Sequence, residues 1–451
     1  MALNVATDIK NILKTFYKDG VSNLLFRDDP VIKEIGKMRV EGKEQAFAAT
    51  YGAGGAVSGK FTQAKAKAAE VVKNAEFKVT PGQLFSCYSM NAKEVQASLS
   101  KKGAYMKIAG NKLFASTSAL RRTLAAAFYG NGYGVLGTAP SSYTITSDGV
   151  QVTFTDGSIP AVLDVGSIVQ FKADYKTSDS DATKAEVSAI EDYKVTFKSA
   201  ASSVAITAST YIQLHGSVDG SGNPLLPMGL DGWLPVDRTG LSASFFNVNR
   251  SVSPDRLAGV LVNDSALSAA SNTKAATIKK AINRVRRHGS KADLIVMNDE
   301  DFLAFANEIE STNTYFTATS TKEAKKASVG VKEITASFST NFIENIIDTP
   351  FLTKGKFYVL DKASVEFWSY TNTDFIDNGV AGNNPGKTDE MSFDGDGKEN
   401  NPMQLLIDDY ISVTPGADSD DGPSVLVTLN VFGSYVVLDP SVCAVGLFPA
   451  A

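Results

Sequence analysis

Little in this 451-residue chain is suited to chemistry: it has two cysteines and two histidines. Cys87 and Cys443 stand too far apart for a disulfide framework or a zinc spacing, so both are read as buried packing residues. His215 and His288 fall in different segments, which argues against a His-containing metal site and a Ser-His-Asp arrangement. No apolar run approaches the ~20 residues needed to span a bilayer. The N-terminus, MALNVATDIKNILKTFYKDG, lacks the basic-then-apolar order of an export signal, so synthesis in the cytoplasm is expected. Gly130-x-Gly132-x-Gly134 follows a helical segment, whereas a dinucleotide fingerprint must follow a strand. Asp394-Gly-Asp396-Gly-Lys398-Glu399 puts a lysine at a calcium-ligand position. Asn298-Asp-Glu-Asp301 reads as capping at the start of a helix. The basic cluster Arg284, Arg286, Arg287 and His288 lacks interleaved aromatics and is followed by acids, so a helix end or subunit contact is expected there, not nucleic acid. No catalytic, cofactor-binding or metal-ligating residue emerges, and an enzyme is not expected.

What the chain does have is an uneven distribution of charge and glycine. Apolar content of 43% and charged content of 21% are ordinary for a globular protein, and the length allows two to four domains. The net charge is only −5, yet residues 1–130 carry 20 Lys and Arg against 10 Asp and Glu, a net of +10. Residues 371–451 carry 2 against 13, a net of −11. A basic front and an acidic tail suit a self-assembling chain whose copies attract end to end. The stretch 42–62, GKEQAFAATYGAGGAVSGKFT, holds five glycines and few charges. It has no helical period, and Gly52-Ala53-Gly54-Gly55 argues against a stable strand. A segment unable to bury Phe47, Tyr51 and Phe61 by itself is expected to be a loop ordered by another subunit. Phe47, Tyr51, Lys60 and Phe61 are the candidate subunit contacts.

Elements follow from periodicity. Residues 4–18 read as a helix capped by Asn4, with Val5, Ile9, Ile12, Leu13 and Phe16 on one face, and an irregular extended arm follows over 21–40. The longest helical region is placed from Asn91 to Tyr129, with Gly103 and Gly110 as points of bending and Gly130, Gly132 and Gly134 as its end. Residues 141–215 are short alternating runs, including VQVTFT, SIVQFKADY, YKVTFKS and TYIQLHG, expected to form a small all-β barrel or sandwich. Within it SDSDAT (178–183) reads as a hairpin tip, and 216–224 as a linker. A helix over 273–288 turns Ile278, Ala281, Ile282 and Val285 inward, a buried strand follows at 294–297, and Asn298 caps a further helix with Phe302, Phe305 and Ile309. KFYVLD, SVEFWSY, QLLIDDYISV and SVLVTLNVFGSYVVL read as sheet strands, and 376–401 as a mobile loop. Trp233 and Trp368, in strand-like surroundings, are assigned to the core.

The order of these elements resembles the tailed-bacteriophage major capsid proteins of the Hong Kong 97-type fold. The residues that carry the resemblance are GAVSGKFTQAKAKA, FKVTPGQLFSCYSMNAKEVQAS, KGAYMKIAGNKLFASTSALRRTLAAAFYGNGYGVLG, GLDGWLP, FNVNRSVSPDRLAGV, DLIVMND, KFYVLDKASVEFWSY and SVLVTLNVFGSYVVLDPSVCAVGLF. It is strongest over 42–137 and 226–310, and weak over 311–350 and 376–424. The fold it implies is α+β, with an N-terminal helix and arm (1–40), an extended loop (41–80), a peripheral domain with a spine helix (81–140) and an inserted β-barrel-like domain (141–225). An axial domain with return strands (226–370) and an acidic loop with C-terminal strands (371–451) complete it. The function it implies is an icosahedral head shell of a dsDNA phage, built from hexamers and pentamers of this chain, with portal, scaffolding and decoration proteins as partners. On that reading the protein is found in the virion, encloses DNA without sequence-specific binding and needs no cofactor or membrane. An encapsulin-like compartment and a virion or surface adhesion protein are the alternatives.

Overall fold

The computed structural model of the chain describes residues 31–91, 108–312, 345–370, 403–406 and 424–449, short stretches within those spans excepted. The expected helix at 4–18, the loop at 376–401 and the calcium-like stretch lie outside the described residues.

The first strands are β1 (Gly36–Arg39), β2 (Gln45–Gly52), β3 (Lys73–Val79) and β4 (Gly82–Asn91), with the short helix α1 (Phe61–Ala66) between β2 and β3. The long helix α2 (Ile108–Tyr129) follows. Next come β5 (Val135–Thr138), β6 (Tyr143–Thr146), β7 (Gly149–Thr153), β8 (Ile168–Lys172), β9 (Lys184–Glu191), β10 (Lys194–Ser199) and β11 (Tyr211–Leu214). Helices α3 (Leu230–Trp233) and α4 (Pro254–Leu257) precede β12 (Val260–Asn263), α5 (Lys274–Arg286), β13 (Leu294–Asn298) and α6 (Asp299–Thr312). The chain closes with β14 (Asn345–Thr349), β15 (Lys356–Leu360), β16 (Val365–Ser369), β17 (Met403–Leu406), β18 (Ser424–Val437) and β19 (Ala444–Leu447).

Three sheets and one hairpin organise these strands. In the body sheet, the 14-residue β18 pairs antiparallel with β4 on one side and with β17 and β16 on the other. β1 adds parallel to β16, so the expected irregular arm ends as a paired strand, with Val31 and Ile32 buried just before it. Residues Leu120, Leu124 and Phe128 of α2, four apart, form the stripe that faces this sheet; the Phe128 ring lies 4.8 Å from that of Tyr435. Gly110 lies within α2 without interrupting it, and Asn91 ends β4 instead of opening the helix. Past the helix, Gly132 and Gly134 adopt positive φ (80° and 67°), the conformation that ends it.

The mixed five-stranded sheet runs β12-β19-β15-β13-β14. All five residues of β13 are buried, as a central strand covered on both faces requires. α5 packs its expected residues Ile278, Ala281, Ile282 and Val285 against this sheet, with Thr273 capping its start through the Ala276 amide (3.2 Å). Asn298 accepts from the Glu300 amide at 3.0 Å, as the capping expectation requires. Asp301, however, is a core residue: it is 3% exposed, pairs with Lys274 at 2.7 Å and accepts from the Gly355 amide.

The seven-stranded sheet, β5-β11-β8-β9-β10-β7-β6, closes on its own apolar cluster of Val152, Val169, Phe171, Val187, Val195, Phe197 and Ile212. It begins at Val135, earlier than the sequence pattern places it, because β5 adds to β11 as an edge strand. The expected linker at 216–224 is a packed turn: Ser217 and Val218 are buried, and Asp219 accepts from the amides of Ser221 and Asn223. SDSDAT does connect two paired strands, but Asp179 folds inward to meet Lys172 at 2.6 Å, so its first half is no solvated tip. Cys443 is buried, while Cys87 is exposed; outward Gln83, Phe85 and Cys87 alternate with Leu84 and Ser86 along β4. The Ser86–Ser116 hydroxyl contact (2.7 Å) to α2 sets that register.

Candidate functional site

Residues 45–79 form a hairpin, which corrects the expectation of an unpaired loop. In β2, the half-buried Gln45, Phe47 and Ala49 alternate with exposed Ala46, Ala48 and Thr50, the period of a one-sided strand. Phe47 lies directly across from Phe77 in β3, and the two rings stack at 5.2 Å. Phe47 also reaches Trp368 at 5.7 Å and Trp233 at 6.0 Å. Within the hairpin the glycines begin only at Gly52, where the strand ends.

An aromatic cluster in the body receives this hairpin face. Trp233 is fully buried on α3, a helix where a strand was expected, and its Nε1 donates to the Tyr435 carbonyl at 2.8 Å. Arg250, 7% exposed, donates to the carbonyls of Gly232 (2.9 Å) and Trp233 (3.0 Å) and lies 3.8 Å from the Phe245 ring. Burial, with a lesser contribution from Arg238, pulls its pKa down to about 10, so it stays charged at neutral pH. The guanidinium thus closes the end of α3 as a cation against carbonyl dipoles and a ring face.

Three ties hold the hairpin base. Residues 245–248 make a two-residue turn, closed by Phe245 N to Val248 O (3.0 Å) and Val248 N to Phe245 O (2.9 Å), with Phe246 and Asn247 at φ 45° and 72°. A left-handed phenylalanine costs about 1–3 kcal/mol. It is held by Lys78 N donating to Phe246 O at 3.0 Å and by ring contacts to Trp233 (5.5 Å) and Phe245 (4.6 Å). Arg256 Nη1 donates to Tyr51 O at 2.9 Å, and Tyr370 Oη donates to Lys43 O at 3.0 Å.

The far end is the opposite. α1 buries none of its residues; Val57 is 93% exposed, Phe61 79% and Val72 60%. Ser58 fixes the turn into α1 by accepting from the Lys60 amide at 3.1 Å. The four candidate contacts therefore separate. Phe47 and Tyr51 are half-buried at the anchored part, while Lys60 and Phe61 stand on the exposed end. Val57 and Val72, missed from sequence, flank the same end; the signal was a valine before, and the Val71-Val72 pair after, a stretch bearing Lys60, Lys65 and Lys67. A second exposed apolar surface lies on the body sheet, where Phe85 (50% exposed) meets Phe432 at 5.6 Å.

The chemistry-bearing side chains are placed apart. His215 Nδ1 meets Gln170 Nε2 at 2.7 Å in the inserted sheet, and His288 sits past the end of α5. Arg284 donates to Leu261 O at 2.7 Å. Among the described residues no three His, Cys, Asp or Glu side chains gather as a metal set, and no helix is long and apolar enough to cross a membrane.

No family model matches this chain, and no curated protein matches it. Solved structures do. A cyanophage A-1(L) capsid asymmetric unit is 11% identical, over 96% of this chain and 96% of that one, with a TM-score of 0.47. A structure from Mycobacterium phage Bobi is 10% identical over 98% of each chain, with a TM-score of 0.41. The holo-SrpI encapsulin of Synechococcus elongatus PCC 7942 is 9% identical, over 94% of this chain and 89% of that one, with a TM-score of 0.39. The structural neighbours of this chain include phage capsids and an encapsulin, aligned along nearly its whole length.

Proposed function

We propose that this chain is the major capsid protein of a tailed dsDNA bacteriophage, self-assembling through hexamers and pentamers into an icosahedral head that encloses the genome. The observation that carries this reading is the hairpin of residues 45–79. Its base is locked into the body by aromatic packing and backbone bonds, while its end holds Val57, Phe61 and Val72 out to solvent. A monomer gains nothing from an anchored arm that displays large apolar side chains. A second copy seated against that end would bury them, with Lys60 and Phe61 as direct contacts and Phe47 and Tyr51 holding the base. Shell interfaces of this kind bury about 2,000 Å² or more per pair, and closed symmetry lets one contact type repeat around the particle.

On this reading residues 1–40 are the arm, 41–80 the extended loop, 81–140 the peripheral domain, 141–225 the insertion and 226–370 the axial domain. The protein is made in the host cytoplasm and resides in the virion. Portal, scaffolding and decoration proteins are its expected partners. Electron microscopy of the purified protein, with assay for nuclease-protected DNA in particles from infected cells, tests it. Icosahedral shells enclosing DNA are expected. Shells filled with protein cargo move the reading to an encapsulin-like compartment, and a monomer at all concentrations refutes both.

A further inference from the structure

Over β8 and β11 one face of the inserted sheet is polar and yet buried, although Glu186 and Ser188 on β9 leave the same face exposed. Along β8 and β11, Val169, Phe171 and Ile212 enter the apolar cluster. On the other face Gln170, Lys172 and Gln213 are 0%, 6% and 0% exposed, with Gln170 and Gln213 direct cross-strand partners. Their cover is the strap of residues 173–180, which leaves β8 and folds back. Lys172 Nζ donates to Thr177 O at 2.7 Å and pairs with Asp179 Oδ1 at 2.6 Å. Gln170 Nε2 donates to Ser180 O at 2.8 Å, and Gln213 Nε2 to Tyr175 O at 3.2 Å. The Tyr175 ring stands edge-to-face with Tyr133 (5.1 Å) and Tyr211 (5.2 Å).

The strap also grips both chain crossings between this sheet and the rest of the protein. On the entry side, Tyr133 carries the Tyr175 contact, and its carbonyl accepts from Gln213. On the return side, Val218 N donates to Asp179 Oδ2 at 3.4 Å, and Gly222 approaches so near that a Cβ there would stand 2.8 Å from Lys176 O. Closure is finely balanced. The Oε1 atoms of Gln170 and Gln213 are buried with no hydrogen-bond partner among the described residues, and their amides cannot flip usefully because each Nε2 already faces a carbonyl. Each such oxygen carries a desolvation cost that opening to water would relieve, and a buried ion pair comes close to break-even.

We propose that residues 173–180 are a latch: closed, they clamp the two crossings at 131–135 and 216–226 to the inserted sheet, and open, they leave it to turn on those crossings. The exposed Arg122–Asp164 pair (3.2 Å) then remains as a side-chain tie to α2. Hydrogen exchange read by mass spectrometry on the full chain tests this. In the wild-type protein, the amides of 173–180 should exchange together with that of Val218 and faster than those of β8 and β9. Strap amides no faster than β8 would overturn the latch, whatever any variant does. In Lys172→Met, which strands Asp179 without its cation, strap exchange should rise at least about ten-fold while β13 is unchanged. In Lys172→Met/Asp179→Leu, with both partners removed, it should return to within about three-fold of wild type. A strap indifferent to Lys172→Met, or a double variant as fast as the single one, would also overturn the proposal.

Discussion

On the proposed reading, Phe61→Ala should separate assembly from folding, because the side chain is largely exposed on its own chain. A phenylalanine buries about 150–250 Å² when fully covered, and Phe61 is 79% exposed, which leaves roughly 160 Å² for a neighbour to cover. At about 25 cal/mol per Å² that is worth up to ~4 kcal/mol per contact, and roughly 3 after allowing for the methyl group retained by alanine. Since 1.4 kcal/mol is about a factor of ten, the subunit concentration at which assembly begins should rise by about 100-fold. The free subunit should be unchanged in stability to within about 0.5 kcal/mol, as for surface substitutions elsewhere. Light scattering over a concentration series reads the first quantity, and calorimetry of unassembled subunits the second. Assembly at the wild-type threshold would refute the claim that this end is an interface. A lowered melting temperature of the free subunit would refute the claim that Phe61 is idle within its own chain.

Further outcomes follow from the body. Arg250→Met should destabilise the subunit by about 2–4 kcal/mol and shift the emission of Trp233, because two buried carbonyls lose a charged donor; wild-type melting would mean water replaces the guanidinium. Asp264, 7% exposed, accepts from Asn272 (2.6 Å), Thr277 (2.8 Å) and Lys280 (2.8 Å), so Asp264→Ala should cost about 2–4 kcal/mol in denaturant titration. Burial alone would raise this carboxyl, but the three donors outweigh it and lower its pKa. Its stabilisation is therefore complete above the unfolded value of about 3.9 and lost as pH falls through the folded one; Asp264→Ala should show a flatter acid limb, and an unaltered limb would contradict this. Asn247→Gly, at φ 72° in the turn under the hairpin, should leave stability equal or up to about 1 kcal/mol higher; a clear loss on melting would show that the asparagine side chain works there. A fragment of residues 131–226 should give dispersed amide signals, whereas 141–215, deprived of β5 and of the Asp179–Val218 bond, should not; equal spectra would show both to be dispensable.

The long helices α2, α5 and α6 and most strands were legible because their patterns are strong, whereas the single-turn α3 and α4 and the short α1 carry too few residues to show a period. Leu120, Leu124 and Phe128, the inward face of α5, and the apolar run of β13 need only periodicity to be read. The first strand of the hairpin was not, because Ala46, Ala48 and Ala49 give almost no contrast between its two faces, and the glycines after Tyr51 dominate the window; NAEFKV in the second strand is strand-like by itself. Its burial depends on Trp233, Trp368 and Phe246, which lie far along the chain and are joined only by the fold. The strap was missed for the converse reason. Gln170, Lys172 and Gln213 carry the polar half of a clean alternation, and sequence alone assigns such residues to solvent. Cys87 was assigned to the core from its residue type, yet the alternation in β4 turns it outward beside Phe85. Of the four candidate contacts, residue type picked out all, but only position along the hairpin divides Phe47 and Tyr51 from Lys60 and Phe61.

That division has a physical logic for assembly. A floppy loop would have to lose about 1–2 kcal/mol of backbone freedom per residue at the moment of binding, which over a segment of this length would consume what three exposed apolar side chains return. The body removes much of that cost beforehand. The Phe47–Phe77–Trp233 ring cluster, the strained Phe246 turn and the Arg256 bond to Tyr51 order β2 and β3 within the free subunit. Beyond the paired strands, Ser58 already shapes the entry to α1. On the proposed reading, a repeatable contact at Phe61 is then enough, since a closed shell would multiply it over every copy. Loosening the base should therefore weaken assembly without touching the contact itself. Phe246→Ala, which removes two ring contacts beneath the hairpin, should raise the assembly threshold even though Phe61 is intact, and an unchanged threshold would mean that the arm is ordered by its neighbour after all.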